Sequence, residues 1–202
     1  MKKVTHYFDY KSPYAFLAQE ATFQLRKDTG IEIDWLPYTL NISQFLGVPE
    51  SNLSEEKSVQ VRNAHQWRRV KYIYLDCRRE ANRRGLMVRG PRKIFDSSIA
   101  HIGFLYAKHG GNFENFHNTL FERFWKRELD LENPIAVAEL LEETDVNPAG
   151  FQDFLVGEGR SELSKIQSDA EARGVFGVPS YLVDNELFWG AERLGRVREL
   201  LT

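Results

Sequence analysis

Val4 to Tyr10 is a run of apolar and β-favouring residues, "VTHYFDY". Its bulk and continuity predict a strand that is buried or partly buried. The period then changes. Ser12 followed by Pro13 is a helix opening, with Ser12 as N-cap and Pro13 at the first helical position. Leu17, Ala21 and Leu25 recur on one helical face, and Arg26, Lys27 and Gly30 close the helix. Alternation through Ile31, Ile33 and Trp35 predicts a second strand. A strand, a helix and a strand in this order form a βαβ unit, whose strands run parallel.

From about residue 53 to residue 158 the spacing is helical throughout. A long pattern beginning near residue 54 ends at Gly85. Asp96 or Ser97 offers a cap for "SIAHIGFLYAKHG", a further helix spans Asn115 to Arg127, and Asn133 caps Pro134 at the start of the next. A shorter helix fits Phe151 to Val156. Mixed structure then returns, with a helix from Ser161 to Arg173 stopped by Gly174. Two short strands flank Asp184 and Asn185, and a last helix covers Ala191 to Leu200. The order is βαβ, helices, αββα. It predicts an α/β, thioredoxin-like fold with an all-helical insertion. The thioredoxin-like domain takes residues 1–50 and 161–202, and the insertion takes 51–160.

Bulk composition narrows the partners. A chain of 202 residues that is 42% hydrophobic can bury a core without staples. A formal charge of -2 gives no general case for nucleic acid or an anionic membrane. No run is long and apolar enough to span a bilayer, and the first residues lack the pattern of a signal peptide. One cysteine, Cys77, permits no intramolecular disulfide and fits a reducing compartment, so a cytoplasmic protein is expected. Cys77 lies among Tyr, Leu and Ile and reads as a structural residue. The five histidines lack metal-ligand spacing, so no metal is expected. Arg62 to Lys93 holds eleven Lys and Arg against Asp76 and Glu80, with aromatics interleaved. A solvated helix face, offset by the acidic stretch 128–145, is the simpler reading. A surface for an anionic metabolite or nucleic acid is the other.

The candidate chemistry lies in two distant stretches. "SPYA" has the spacing of a CxxC redox motif with neither cysteine: Ser12 and Ala15 stand in their places. A helix N-terminus favours an anion, a thiolate included. Ser-Pro is also a common helix opening with no further role. In "GVFGVPSYLVD", Pro179 is either a plain strand-entry proline or a cis proline that leaves the Val178 N–H and C=O free to pair with an extended ligand. A thioredoxin-like order brings the two stretches side by side. A serine nucleophile would need a base, and no local Ser-His-acid pattern supplies one.

"FDYKSPYAFL" together with "GVFGVPSYLVDNELFWGAERL" resembles the 2-hydroxychromene-2-carboxylate isomerase family, related to kappa-class glutathione transferases within the DsbA-like group. The resemblance covers nearly the whole chain. It implies glutathione as cofactor, a small aromatic or conjugated carboxylate as substrate, and a homodimer. By carry-over, Ser12 lies near the glutathione sulfur as the catalytic residue, and Val178 and Pro179 meet the glutathione backbone. Glu192 and Arg193 serve the γ-glutamyl end. Glu192 takes the place of the family's usual Asp and reaches one methylene further, and Ala191 supplies no polar group. Lys11, Tyr14 and Asn41 are placed on the substrate side; a solvated lysine and an ordinary loop or cap asparagine are the plainer readings of Lys11 and Asn41. The implied activity is a glutathione-dependent isomerase. The alternatives are a kappa-type transferase or a non-catalytic, DsbA-like peptide-binding protein.

Overall fold

The computed structural model describes residues 2–47 and 61–201; the beginning of the expected long helix at residues 54–60 lies outside them. Strand β1 is Val4–Phe8, helix α1 is Pro13–Thr29 and strand β2 is Ile33–Pro37. Helix α2 (Ile42–Leu46) follows, and the insertion carries α3 (Ala64–Arg83), α4 (Ser98–His109), α5 (Phe113–Lys126), α6 (Pro134–Glu143) and α7 (Phe151–Val156). Helix α8 (Glu158–Ala172), strands β3 (Ser180–Val183) and β4 (Glu186–Trp189), a 3₁₀ turn at Ala191–Arg193 and helix α9 (Leu194–Leu201) complete the chain.

The sheet runs β2-β1-β3-β4. β1 pairs β2 in parallel, His6 beside Trp35, and β3 in antiparallel, Tyr7 beside Ser180. This is the expected thioredoxin-like core with a helical insertion. The register decides where the site falls. β1 ends where β3 begins, so the turn leading into α1 and the turn leading into β3 emerge at one edge of the sheet.

Several boundaries differ from the sequence expectation. β1 stops at Phe8, because Asp9 turns inward to accept hydrogen bonds rather than continue the ladder. α3 begins behind an Asn63–Gln66 capping box and ends at Arg83, with Arg84 as C-cap and Gly85 just beyond at φ 70°. Asp96 accepts from the Ser98 backbone N–H at 2.9 Å, while Ser97 makes no side-chain cap bond. α8 starts at Glu158, three residues before Ser161, and the last helix is preceded by the 3₁₀ turn.

One core joins the sheet to the insertion. Phe8 meets Phe104 of α4 and His117 of α5 edge-on, with ring centroids 4.8 and 4.5 Å away. Tyr10 Oη lies 3.0 Å from His117 Nδ1, both residues buried. Side chains of this size bury enough apolar area that truncating one costs about 3–5 kcal/mol. The insertion is therefore fixed against β1 and cannot drift from the edge where the two turns meet.

Candidate active site

Ser12 caps α1. Its Oγ accepts from the Ala15 N–H at 3.2 Å, its C=O accepts from Phe16 N at 3.1 Å, and it is 4% exposed. That use of the oxygen leaves the hydroxyl proton free to donate. Pro13 has no N–H, so Tyr14 N–H is the backbone donor of the first turn left without a partner among the described residues. The end of α1 thus offers two donors and the positive end of a helix dipole to a negative atom in front of it.

The Val178–Pro179 bond is cis. Pro179 O accepts from Gly190 N at 2.9 Å, and Ser180 Oγ donates to Gly177 O at 2.6 Å. Among the described residues the Val178 N–H and C=O make no hydrogen bond, although Val178 is buried. Unpaired backbone groups at a strand entry are suited to an extended ligand.

Ser12 and Val178 line one cleft of about 1330 Å³, which also takes Lys11, Pro13 and Tyr14 from the thioredoxin side and α3 and residues 88–95 from the insertion. That volume exceeds the usual 300–1,000 Å³ of a small-ligand pocket and leaves room for two molecules. Phe176 and Trp189 form an exposed aromatic pair on its rim, centroids 5.0 Å apart. Nine Lys and Arg line the cleft among the described residues, and no Asp or Glu does. Seven of them belong to the basic stretch 62–93. These side chains are largely exposed, as a solvated face would have them, yet they form a wall of the cleft.

Lys11 is not a solvated lysine. Its side chain is 7% exposed and its Nζ lies 3.4 Å from Asp9 Oδ2. Asp9 is fully buried and also accepts from Leu40 N at 2.8 Å, Lys11 N at 3.1 Å and Ser97 Oγ at 2.6 Å. His101 Nε2 stands 3.3 Å from Asp9 Oδ1 without hydrogen-bond alignment, and its Nδ1 is 2.9 Å from Thr39 Oγ1. Burial alone would raise the Asp9 carboxyl. The Lys11 ammonium, His101 and the Ser97 hydroxyl outweigh burial and hold it well below the usual carboxylate range. Asp9 ties the turn before α1, the turn after β2 and the start of α4 together beside Ser12. Sequence reading passed over it; the signal was an acid embedded in an apolar strand run.

Tyr14 is 36% exposed and donates to Asp76 Oδ2 at 3.4 Å. Its phenol also reaches Cys77. Burial, with Asp76 beside it, pushes the Cys77 thiol up to about 12 against the Tyr14 hydrogen bond, so the thiol stays protonated. The chain has no other sulfhydryl to offer. Pro179 is buried behind Val178. The remaining predicted site residues lie off the cleft. Asn41 caps α2, accepting from Gln44 N, and lines an adjoining depression with Lys11. Glu192 and Arg193 are exposed on the 3₁₀ turn, with the Glu192 carboxylate folded back over Gly190. Among the described residues no group of three or more His, Cys, Asp or Glu is arranged to hold a metal.

A family model described as a DSBA-like thioredoxin domain matches residues 3–202. The chain is 26% identical over 194 residues to the 2-hydroxychromene-2-carboxylate isomerase of Sphingobium xenophagum, covering 96% of this chain and 94% of that protein. It is 28% identical over 197 residues to the enzyme of that name from Pseudomonas putida, covering 95% and 90%. The solved structure of a 2-hydroxychromene-2-carboxylate isomerase superimposes with a TM-score of 0.75 at 22% identity, covering 98% of this chain and 93% of that one. A probable DsbA oxidoreductase from Streptomyces coelicolor gives 0.73 at 15% identity, covering 100% and 89%.

Proposed function

The chain belongs to the DSBA-like thioredoxin domain family and is homologous to 2-hydroxychromene-2-carboxylate isomerases, and from that premise we propose that it is a glutathione-dependent isomerase of an aromatic or conjugated carboxylate. The observation that carries the reading is the juxtaposition of Ser12 and the unpaired Val178 backbone in one cleft with no cysteine. Disulfide exchange needs a thiol at the helix end. Here the hydroxyl and helix dipole that would stabilise a thiolate are present, and the sulfur has to come with a ligand.

The residues fit that ligand. Val178 N–H and C=O suit a peptide backbone, and Ser12 Oγ–H and Tyr14 N–H suit its sulfur. Glutathione supplies, when bound, a thiolate that adds reversibly to the conjugated substrate and so frees a double bond to rotate. The protein's part is positioning. Ser12 holds the sulfur ionised: a free thiol near pKa 8.5 is mostly protonated at neutral pH, and each unit of lowering is worth about 1.4 kcal/mol. The Lys11 ammonium, fixed by Asp9, offers charge to the substrate carboxylate. Phe176 and Trp189 offer ring faces to its aromatic part.

Glutathione titrated into the protein while thiolate absorbance is followed tests the reading, with Ser12→Ala beside wild type. We expect a lower thiol pKa in wild type and turnover at least about tenfold slower in the variant, as for a lost charge-assisted donor. Equal thiol pKa in both proteins would remove Ser12 from the mechanism. A kappa-type transferase would share this site; turnover with a chromene carboxylate against an aryl halide separates the two. An apolar peptide holder fits poorly with a cleft walled by nine cations.

A further inference from the structure

The chain as a whole carries a formal charge of -2, yet the cleft of Ser12 and Val178 is walled, among the described residues, by nine cations and no acid. Lys11 is paired to Asp9, and Lys93 is paired to Glu132. The seven arginines that remain make no ion pair with a described carboxylate. A single-sign wall over low-dielectric surface concentrates its field and selects anions. One carboxylate on the substrate, already answered by Lys11, does not account for it.

Two of these arginines are held as if for a ligand, and a third stands beside them. Arg62 Nε donates to Leu46 O at 2.9 Å and to Gly47 O at 3.1 Å, and its guanidinium lies 5.0 Å over the Trp67 ring. Among the described residues its two terminal nitrogens have no hydrogen-bond partner. Arg127 is tied by Nε to Gly90 O at 2.8 Å, and Gly90 sits against the Tyr74 ring, where a Cβ would lie 3.5 Å away. Arg78 is exposed on α3, one turn beyond Tyr74. All three guanidiniums act on the Tyr74 phenol, opposing the burial that pushes it up to about 12. A guanidinium fixed on a carbonyl loses little entropy when its other N–H groups meet an oxyanion.

We propose that the substrate of this cleft carries two separated anionic groups, the second of them an oxyanion held by Arg62, Arg78 and Arg127 around Tyr74. The proposal rests on reading the cleft as the substrate site. It adds that the substrate class is an aromatic or conjugated acid with a distal carboxylate or phosphate, rather than a monoacid.

Calorimetric titration of the full chain tests it with three probes: a naphthoate, a naphthalene dicarboxylate, and the phosphate monoester of a hydroxynaphthoate. Each is measured with and without saturating glutathione. We expect the diacid or the phosphate ester to bind about tenfold more tightly than the monoacid. Whichever of the two is tighter identifies the distal group. Arg78→Gln and Arg62→Gln should abolish that preference and leave naphthoate binding unchanged, while Arg79→Gln, outside the cleft, should alter neither. Arg78 is exposed and makes no described hydrogen bond or ion pair, so its variant should fold, and thermal melts on each protein check it. Equal binding of monoacid and diacid, or a preference that survives in both variants, overturns the subsite. Loss of the preference once glutathione is saturating overturns it too, since the guanidiniums would then serve the tripeptide's own carboxylate. If glutathione fails to bind while the arginine-dependent preference persists, the cofactor reading falls and the subsite stands.

Discussion

The two walls of the cleft are built on opposite principles. The thioredoxin wall is buried: Asp9 is fully enclosed, Ser12 is 4% exposed and Val178 6%. Both carboxylate oxygens of Asp9 are answered, by Lys11, Leu40 and Ser97 between them. The insertion wall is a row of exposed guanidiniums on α3 and residues 88–95. Burial makes the first wall rigid and ties its chemistry to the stability of the fold. Exposure makes the second changeable at little cost, so it is suited to setting which ligand enters. The sharpest way to break this contrast is to measure both walls by urea denaturation. Asp9→Ala leaves Lys11 and His101 facing an empty, desolvated spot and should cost about 3–5 kcal/mol, as for a broken buried pair. Arg68→Gln and Arg69→Gln should stay within about 0.5 kcal/mol of wild type. Similar losses from the two walls would dissolve the distinction.

Acid should expose the same contrast, because the buried titrating groups lie in the core that joins the sheet to the insertion and not among the exposed guanidiniums. The Asp9 carboxyl is held below its ordinary range, so its contribution is complete above that range and is lost as pH falls. His6, buried between Trp35 and Tyr181, is lowered from 6.5 to about 3, chiefly by burial, with its hydrogen bond to Ser180 O acting the other way. Between those values the unfolded chain binds a proton that the folded chain refuses. Stability therefore falls with acid through that window, by up to about 1.4 kcal/mol per pH unit for one such group. His117 is lowered in the same sense by burial and adds to the slope. His6→Phe should remove about one proton's worth of the slope in a series of melts against pH, whereas Arg68→Gln should leave the slope as it was. A slope unchanged by His6→Phe would mean that His6 is protonated within the fold.

The same division explains what was legible in the sequence. β1, the Ser12–Pro13 helix start, β2 and the β3–β4 hairpin announce themselves through local chemistry: period, cap and turn residues. The meeting of Ser12 with Val178 followed from element order. What was hidden depends on long-range pairing. Ser97 could be read as a cap, but it donates its hydroxyl to Asp9, 88 positions away. Lys11 looked solvated because its partner, two residues earlier, looked like part of a strand. The basic stretch looked like a solvated face, and no local pattern reveals that its arginines face a cleft. Only the packing of α3 opposite α1 does that. Glu192 is the converse case: motif position pointed to it, while the backbone leaves its carboxylate over Gly190 and outside the cleft.

The smallest expected effect tests whether the thioredoxin wall also carries the ring-binding half of the cleft. Gly177 precedes Val178, and a Cβ placed on it would come within 2.9 Å of Trp189 Nε1 and 3.4 Å of Cε2. Trp189 is 52% exposed, so the ring can swing outward and the fold loses little, within about 1 kcal/mol. Swinging it parts Trp189 from Phe176, now 5.0 Å away, and opens the aromatic rim beside the cis bond. Gly177→Ala should therefore weaken naphthoate binding about three- to tenfold, the worth of one aromatic contact, and shift tryptophan emission while the melting temperature barely moves. Arg78→Gln should do the reverse, sparing naphthoate and erasing the preference for a second anion. If Gly177→Ala changes emission but not naphthoate affinity, the ring of the ligand lies against α3, and both halves of recognition belong to the insertion wall.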